Sequence, residues 1–215
     1  MKKLIIAFLA MSLGSFSIAS AERGVNIGVS GQMGVFVADG SETRADSGSL
    51  ERSNTTTLVG YGSVFIEKTL GSKLTIGFDY VPQSLTTDTA ESTRQTDVST
   101  TGINSVKADF EDLSTAYVAF NVTENTYIKA GMVTVDVITK ESLATGSDYG
   151  NTSLDGEMYG VGYNHDFSNG LFLRAEANVI MMDGTTLTST TNSDNVIKLD
   201  HLNGASGKIS IGKSF

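Results

Sequence analysis

The 215-residue chain has no cysteine, no tryptophan and only one proline. The lack of cysteine excludes a disulfide scaffold, a cysteine nucleophile and any zinc or iron–sulfur site with cysteine ligands. Basic residues are also scarce, since 15 Lys and Arg stand against 24 Asp and Glu, for a formal net charge of −9. A sequence-independent nucleic-acid binder needs clustered Lys and Arg, so the charge balance argues against nucleic acid as a partner.

Long hydrophobic runs are missing from the chain after its first residues. The N-terminus has two lysines, an apolar stretch over residues 4–13 and the small residues Ala-Ser-Ala at 19–21. These features are typical of a cleaved secretory signal peptide, and the apolar stretch is too short to span a bilayer as a helix. We therefore predict a signal peptide over residues 1–21 and one exported domain over residues 22–215.

The exported part is dominated by an alternation of apolar and polar residues. Between residues 25 and 37, apolar side chains hold most odd positions, and Gly, Ser, Asn and Gln hold most even ones. This period of two indicates a strand with different surroundings on its two faces. Soluble strands usually run to about 5–6 residues, whereas a bilayer requires about 9–11. Eight strands are predicted, near residues 25–37, 55–67, 73–81, 106–120, 126–138, 154–167, 171–182 and 204–215.

The connections between these strands alternate strictly between short turns and long polar segments. In an antiparallel arrangement, all long segments then lie at one end of the sheet and all short turns lie at the other. Outer-membrane barrels have this asymmetry, with short periplasmic turns and long external loops. We therefore predict an all-β fold, an eight-stranded antiparallel up-and-down transmembrane β-barrel, with a soluble up-and-down barrel as the alternative. An extracellular ligand would bind the long loops, predicted at residues 38–54, 82–105, 139–153 and 183–203.

Aromatic residues concentrate near the short turns and the end of the chain, where a periplasmic girdle is expected. By parity, Phe172 is expected to point inward instead. The residues assigned to this region are Phe65, Phe120, Tyr127, Phe167, Phe172 and Phe215.

If apolar positions face lipid, parity turns a balanced set of charged side chains into the barrel. An eight-stranded barrel is narrow enough for side chains to fill, and buried charges must be paired. The set fits a closed, salt-bridged plug, or a narrow ion path or gate through the same residues. Two acidic residues, Asp112 and Asp136, break the alternation. The predicted interior charges are Lys73, Asp79, Lys107, Asp109, Glu111, Arg174, Glu176 and Lys208.

Catalytic chemistry has little support in the sequence. The two histidines, His165 and His201, are predicted at opposite ends of the barrel. His201 could be grouped with Asp200 and Ser206 as a catalytic site at the rim, but the spacing matches no known motif. We therefore predict no catalytic residue, no cofactor-binding residue and no metal ligand.

The last eight residues, Lys208–Phe215, resemble the C-terminal targeting strand of bacterial outer-membrane barrels. Ile209, Ile211 and Phe215 hold its apolar and terminal aromatic positions, whereas Lys213 stands where an apolar residue is usual. The hairpin from residue 160 to residue 171 also resembles the penultimate hairpin of small barrels. Overall, the chain resembles the superfamily of the outer membrane protein A transmembrane domain and the opacity proteins.

The resemblance implies a place in the bacterial outer membrane, in contact with its lipid. It also implies recognition of the C-terminal strand by the barrel-assembly machinery. The expected function is a non-catalytic structural or surface-interaction role, and a small porin-like channel that passes ions or small solutes is the alternative.

Overall fold

The computed structural model describes residues 24–43, 50–87, 89–97, 100–143, 147–191 and 193–215. The predicted signal peptide, residues 1–21, lies outside the described residues. In the described ranges, no helix is long and apolar enough to cross a membrane. The strands are β1 (Val25–Thr43), β2 (Leu50–Leu70), β3 (Leu74–Tyr80), β4 (Leu85–Thr86), β5 (Ala90–Asp97), β6 (Thr100–Asn121), β7 (Thr126–Ser142), β8 (Thr152–Asp166), β9 (Leu171–Met182), β10 (Thr185–Thr188) and β11 (Val196–Ser214).

Eight of these strands close into a ring of antiparallel pairs. The order is β1-β2-β3-β6-β7-β8-β9-β11, and β11 returns to pair with β1. The short strands β4 and β5 pair with β6, and β10 pairs with β11, so they prolong the wall at the end opposite the short turns. Closure of the ring pairs the strands edge to edge, which is the condition for a sheet to cross a bilayer, and β2 pairs with β3 over its last residues, from Val64 to Leu70. The predicted fold class is confirmed.

The strands reach much further than predicted, because they continue through most of the segments expected to be loops. In the predicted loop 38–54, β1 and β2 stay paired as far as Thr43 and Leu50. The predicted loop 82–105 holds β4 and the β5–β6 hairpin. The predicted loops 139–153 and 183–203 likewise hold the ends of β7 and β11. These segments are rich in polar residues and lack a regular alternation, but their threonines favour strands.

The two faces of the wall exchange polarity along the strands, as β7 illustrates. Towards the short turns, Ile128 and Met132 point outward and are 52% and 68% exposed, while Lys129 is buried inside. Past residue 133 the pattern reverses, because Val135 is buried inside and Asp136 is exposed outside. A strand that leaves hydrocarbon for water requires this reversal. It explains Asp136, whose carboxylate lies beyond the apolar belt.

Between this reversal and the short turns, the outer face forms a belt that is almost continuously apolar, which suits contact with lipid chains. Its exposed members are spread over every long strand of the ring, so the belt encircles the barrel. They include Ile27, Val29, Met33, Val35, Leu58, Val64, Val118, Phe120, Ile128, Met132, Tyr159, Val161, Tyr163, Leu173, Val179, Met181, Ile209 and Ile211.

A β-bulge in β6 accounts for the second acidic exception. Asp112 has a φ of 53°, a left-handed conformation that Asp tolerates better than most residues. The register against β7 shifts between Glu111 and Ser114, so β6 has one extra residue here. The Tyr80 hydroxyl donates a hydrogen bond of 2.8 Å to the Asp112 carboxylate. Every side chain of β6 beyond the bulge therefore faces the opposite way from a simple period-two count.

Interior aromatic rings lie against glycines directly opposite them on the neighbouring strand. A Cβ atom on Gly162 would lie 2.2 Å from Cζ of Tyr127, and one on Gly28 would lie 2.3 Å from Cζ of Phe65. Only glycine leaves room for a ring to lie flat along the inner wall. The five pairs are Phe36 with Gly204, Phe65 with Gly28, Tyr117 with Gly77, Tyr127 with Gly162, and Phe172 with Gly212.

This packing corrects part of the predicted girdle. Phe65 and Tyr127 are buried inside the barrel together with Phe172, for which parity gave the right direction. Phe120, Phe167 and Phe215 are exposed on the outside. The inward rings have another use, which is to contact the cations of the interior.

Candidate functional site

An ion-pair cluster fills the half of the barrel interior that lies nearer the short turns. At its base, the Arg174 guanidinium on β9 reaches across the lumen to the Glu67 carboxylate on β2. Two parallel hydrogen bonds join them, Nη1 to Oε1 at 2.6 Å and Nη2 to Oε2 at 3.0 Å. The Tyr117 hydroxyl donates to Oε1 at 2.7 Å, and Asn26 Nδ2 donates to Oε2 at 3.0 Å. Both carboxylate oxygens are therefore satisfied, which a buried charge requires.

Two further ion pairs complete the cluster. The Lys129 ammonium lies 2.5 Å from Glu176 Oε1, which also accepts a hydrogen bond of 2.6 Å from the Tyr127 hydroxyl. Lys208 pairs with Asp79 from the opposite side of the lumen. Each pair joins strands that are not neighbours in the ring, with one strand between Lys129 and Glu176 and two strands between the partners of each other pair. The three pairs therefore link strands that the sheet hydrogen bonds do not.

Aromatic rings contact the cations of this cluster. The Arg174 guanidinium lies 4.9 Å from the centroid of the Phe172 ring and 5.3 Å from that of Tyr127. The Lys129 ammonium lies 4.7 Å from the Tyr117 ring. Such cation–π contacts stabilise a charge that has lost its water. The interior therefore holds three carboxylates, three cations and the rings packed on them, with no net charge among the six groups.

Known proteins resemble this chain in fold rather than in sequence. No protein-family model and no curated protein sequence matches it. Its structure is similar to the crystal structure of the outer membrane protein OprG from Pseudomonas aeruginosa, with a TM-score of 0.55 and 9% identity over 93% of this chain and 99% of that one. It is also similar to the outer membrane protein AlkL, solved by solid-state NMR in lipid bilayers, with a TM-score of 0.54 and 16% identity over 93% of each chain.

The chain has the fold of a small outer-membrane β-barrel. That similarity concerns the fold alone. The closed ring, the encircling apolar belt and the charged interior are this chain's own, and together they require a bilayer around it. The barrel is therefore an integral protein of the bacterial outer membrane, as the sequence predicts.

Four of the eight predicted interior charges belong to the cluster, namely Asp79, Arg174, Glu176 and Lys208. The other four do not. One reason applies to Lys73, and a different one applies to the three residues on β6. Lys73 precedes β3 in an exposed turn, where its ammonium lies 5.8 Å from the ring of Phe120. It therefore sits at the rim rather than in the lumen.

Lys107, Asp109 and Glu111 were assigned to the interior wrongly, because the bulge at Asp112 reverses the facing of this part of β6. In the register with β7, Asp109 lies opposite Ile138 and Glu111 lies opposite Asp136, on the outer face beyond the belt. Asp109 pairs there with Lys140 and accepts a hydrogen bond of 2.8 Å from Thr86. The hydrogen bonds from Lys140 and Thr86 hold the pKa of Asp109 below its usual range.

Two members of the cluster, Glu67 and Lys129, were missed from the sequence. Lys129 shares the odd parity of Tyr127 and Val133, and the even positions 128, 130 and 132 between them are apolar, so the signal was present. Glu67 shares parity with the inward Phe65, and an inward aromatic hides the alternation on which the prediction relied.

His201 pairs with a residue outside the group drawn from the sequence. His201 Nε2 lies 2.7 Å from Asp39 Oδ2 across the β1–β11 pair. The Asp200 carboxylate instead pairs with Lys198, and Ser206 is buried inside the barrel. The hypothetical group of His201, Asp200 and Ser206 is therefore not assembled. Among the described residues, no cluster of three or more His, Cys, Asp or Glu could hold a metal ion.

Two larger cavities lie on either side of the cluster. One of about 340 Å³, at the end with the short turns, is polar and has Glu67 and Arg174 in its lining. The other, of about 200 Å³, is lined mainly by apolar residues of the opposite half, such as Val135 and Met182. A smaller cavity of about 30 Å³ lies beside Lys129, Asp79 and Lys208, so the cluster lies between the two larger cavities.

Proposed function

We propose that this barrel has a structural or surface-interaction role in the outer membrane and carries out neither transport nor catalysis. The main support is the ion-pair cluster, which leaves no wide path between the polar cavity and the apolar one. A barrel sealed in this way is a rigid anchor. Its part beyond the lipid belt is then the part available to other molecules.

The extended strands beyond the belt are the proposed interaction surface. In β2, the residues from Arg52 to Thr57 are all exposed, and they pair with β1 as a hairpin that projects beyond the membrane. Recognition on barrels usually involves such projecting segments. The predicted loops 38–54, 82–105, 139–153 and 183–203 keep this role, and the described parts of them that form paired strands offer a surface of defined shape.

The partners implied by the resemblance are also part of this proposal. Ile209, Ile211 and Phe215 are all exposed on the outside of β11 and its end, where lipid and the assembly machinery could reach them. The lack of catalysis is supported by the burial of Ser206 inside the barrel and by the pairing of Asp200 with Lys198.

A small porin-like channel is the second candidate. The observation in its favour is the polar cavity, which leads from the end with the short turns to the Glu67–Arg174 pair. An ion could pass from this cavity through the lumen only if the Glu67–Arg174 pair and the other two ion pairs of the cluster separated. Wide water-filled pores are found in barrels with many more strands.

Single-channel recording in planar bilayers distinguishes the two functions. We expect the refolded wild-type barrel to give no unitary currents, because the cluster blocks the lumen. The double variant Glu67→Gln/Arg174→Met removes the lowest ion pair and serves as the sensitised comparison. The exposed variant Lys198→Met, which leaves the lumen unchanged, is the control. Stable unitary currents from the wild type, with an amplitude or selectivity altered in the double variant, would establish the channel and overturn the proposal.

A further inference from the structure

We propose that the part of the barrel beyond the lipid belt binds a small, uncharged apolar molecule in its interior cavity. The cavity measures about 200 Å³ and lies beyond the ion-pair cluster, on the side away from the short turns. Its lining comes from strands all around the ring. The residues are Phe36, Ala38, Thr55, Thr57, Val59, Tyr61, Leu85, Thr86, Thr87, Phe110, Leu113, Val133, Val135, Ile180, Met182 and Leu202.

The chemistry of the lining selects the class of ligand. None of the described residues that line the cavity is charged. The polar groups of the lining are mostly threonine hydroxyls, and two of these hydroxyls already form hydrogen bonds within the protein. Thr86 donates to Asp109 at 2.8 Å, and Thr87 accepts from the Ala108 amide at 3.0 Å. A charged ligand would lose its hydration without a counter-charge, so the site favours an uncharged apolar molecule.

The exchange of polarity along the wall explains why such a site exists here. Membrane barrels usually have a polar interior, and the half of this one with the cluster follows that rule. Beyond residue 133 the outer face is polar, so the inner face takes over the apolar residues, as it does in a water-soluble barrel. Val133, Val135, Leu154 and Met182 are all buried there and form one apolar cluster with Met158 and Ile180.

The mainly apolar lining of the cavity favours a hydrocarbon over water. A buried water needs two to four polar partners, whereas a cavity lined by aliphatic and aromatic side chains binds small hydrocarbons instead. Residues of β1, β2, β6, β7, β9 and β11 line the space with preformed contacts, which is the usual condition for a ligand site. This inference does not depend on whether the lumen conducts, because the ion-pair cluster lies outside the cavity.

The proposal can be tested by NMR with toluene as the probe. The barrel is reconstituted in lipid nanodiscs with ¹³C-labelled methionine methyl groups. Met182 lines the cavity, and its neighbour Met181 faces the lipid with Met33 and Met132. We expect a saturable shift of the Met182 methyl signal, while the three outward methionines shift only in proportion to toluene dissolved in the bilayer. Benzoate, which has the same ring and a negative charge, is expected to leave Met182 unshifted.

Matched variants test whether the shift comes from the cavity. Val135→Phe fills the space and is expected to abolish the saturable shift. Thr134→Phe places the same ring on the next residue, which faces outward, and is expected to preserve it. If Val135→Phe fails to fold, Ala38→Leu fills the cavity from β1. A Met182 signal that shifts linearly like Met181, or a saturable shift that survives both filling variants, would overturn the proposal.

The source of the apolar ligand is identified in the same samples. A nuclear Overhauser contact between the Met182 methyl and lipid-chain protons, lost when toluene is added, would identify an acyl chain as the resident molecule. Saturable toluene binding without that contact would identify a molecule taken up from water. Both results support the apolar site.

Discussion

Replacing Arg174 with methionine is expected to lower the free energy of unfolding by about 3–5 kcal/mol, because the Glu67 carboxylate then remains buried without its cation. Glu67 is almost wholly buried and binds Arg174 through both of its oxygens. Its other partners, Tyr117 and Asn26, are neutral donors that cannot replace the lost charge. Urea unfolding in phospholipid vesicles measures the change.

The double variant Glu67→Gln/Arg174→Met separates charge from packing. Glutamine keeps a side-chain acceptor for the Tyr117 hydroxyl and removes the stranded charge, so most of the lost stability is expected to return. The exposed pair of Lys198 and Asp200 provides the control, because Lys198→Met is expected to cost only about 0–1 kcal/mol. Equal losses in the single and double variants would mean that the packing of Arg174, rather than its charge, stabilises the barrel.

Replacing Gly162 with valine is the second substitution with a large expected effect. A Cβ atom on Gly162 would meet the Tyr127 ring at 2.2 Å, so valine must displace that ring. The displaced tyrosine would also lose its hydrogen bond to Glu176. Overpacking costs about 1–3 kcal/mol, and loss of a hydrogen bond to a charged group costs about 1.5–3 kcal/mol more. The same vesicle unfolding assay measures the total.

Gly207→Val is the matched control for this substitution. Gly207 is exposed on β11, and a Cβ atom there would meet no heavy atom within 4 Å in the described part of the chain. Valine suits a strand better than glycine does, so this variant is expected to be neutral or slightly stabilising. If both variants lost the same stability, the contact between ring and glycine would not be the cause.

How much of this barrel could be predicted depended on where a strand lies relative to the bilayer. In the lipid belt, alternation located the first part of β1, β9 and the end of β11, since lipid outside and charge inside impose opposite polarities on the two faces. Beyond the belt, water covers the outer face and the period-two signal weakens. The paired ends of β1 and β2, up to Thr43 and Leu50, and the β5–β6 hairpin therefore resembled loops.

The interior site was only partly predictable, for a related reason. Parity identified Arg174, Glu176, Asp79 and Lys208 correctly, because their strands run without interruption through the belt. One extra residue at Asp112 reversed the facing of Lys107, Asp109 and Glu111. The break in alternation at Asp112 was its local sign, but a bulge and a strand end produce the same break. The ion-pair partners across the ring could not be predicted from the sequence either, since Glu67, the partner of Arg174, is 107 residues away along the chain.

Site-directed spin labelling along β7 tests the central claim most directly, namely that the wall passes from lipid to water near residue 133. The chain has no cysteine, so single labels can be placed at residues 128, 130, 132, 134, 136 and 138 without other changes. In lipid vesicles, we expect labels at 128, 130 and 132 to be accessible to oxygen and those at 136 and 138 to a water-soluble nickel reagent. Nickel accessibility at all six positions would contradict the account, since the outer face of β7 would then be in water throughout.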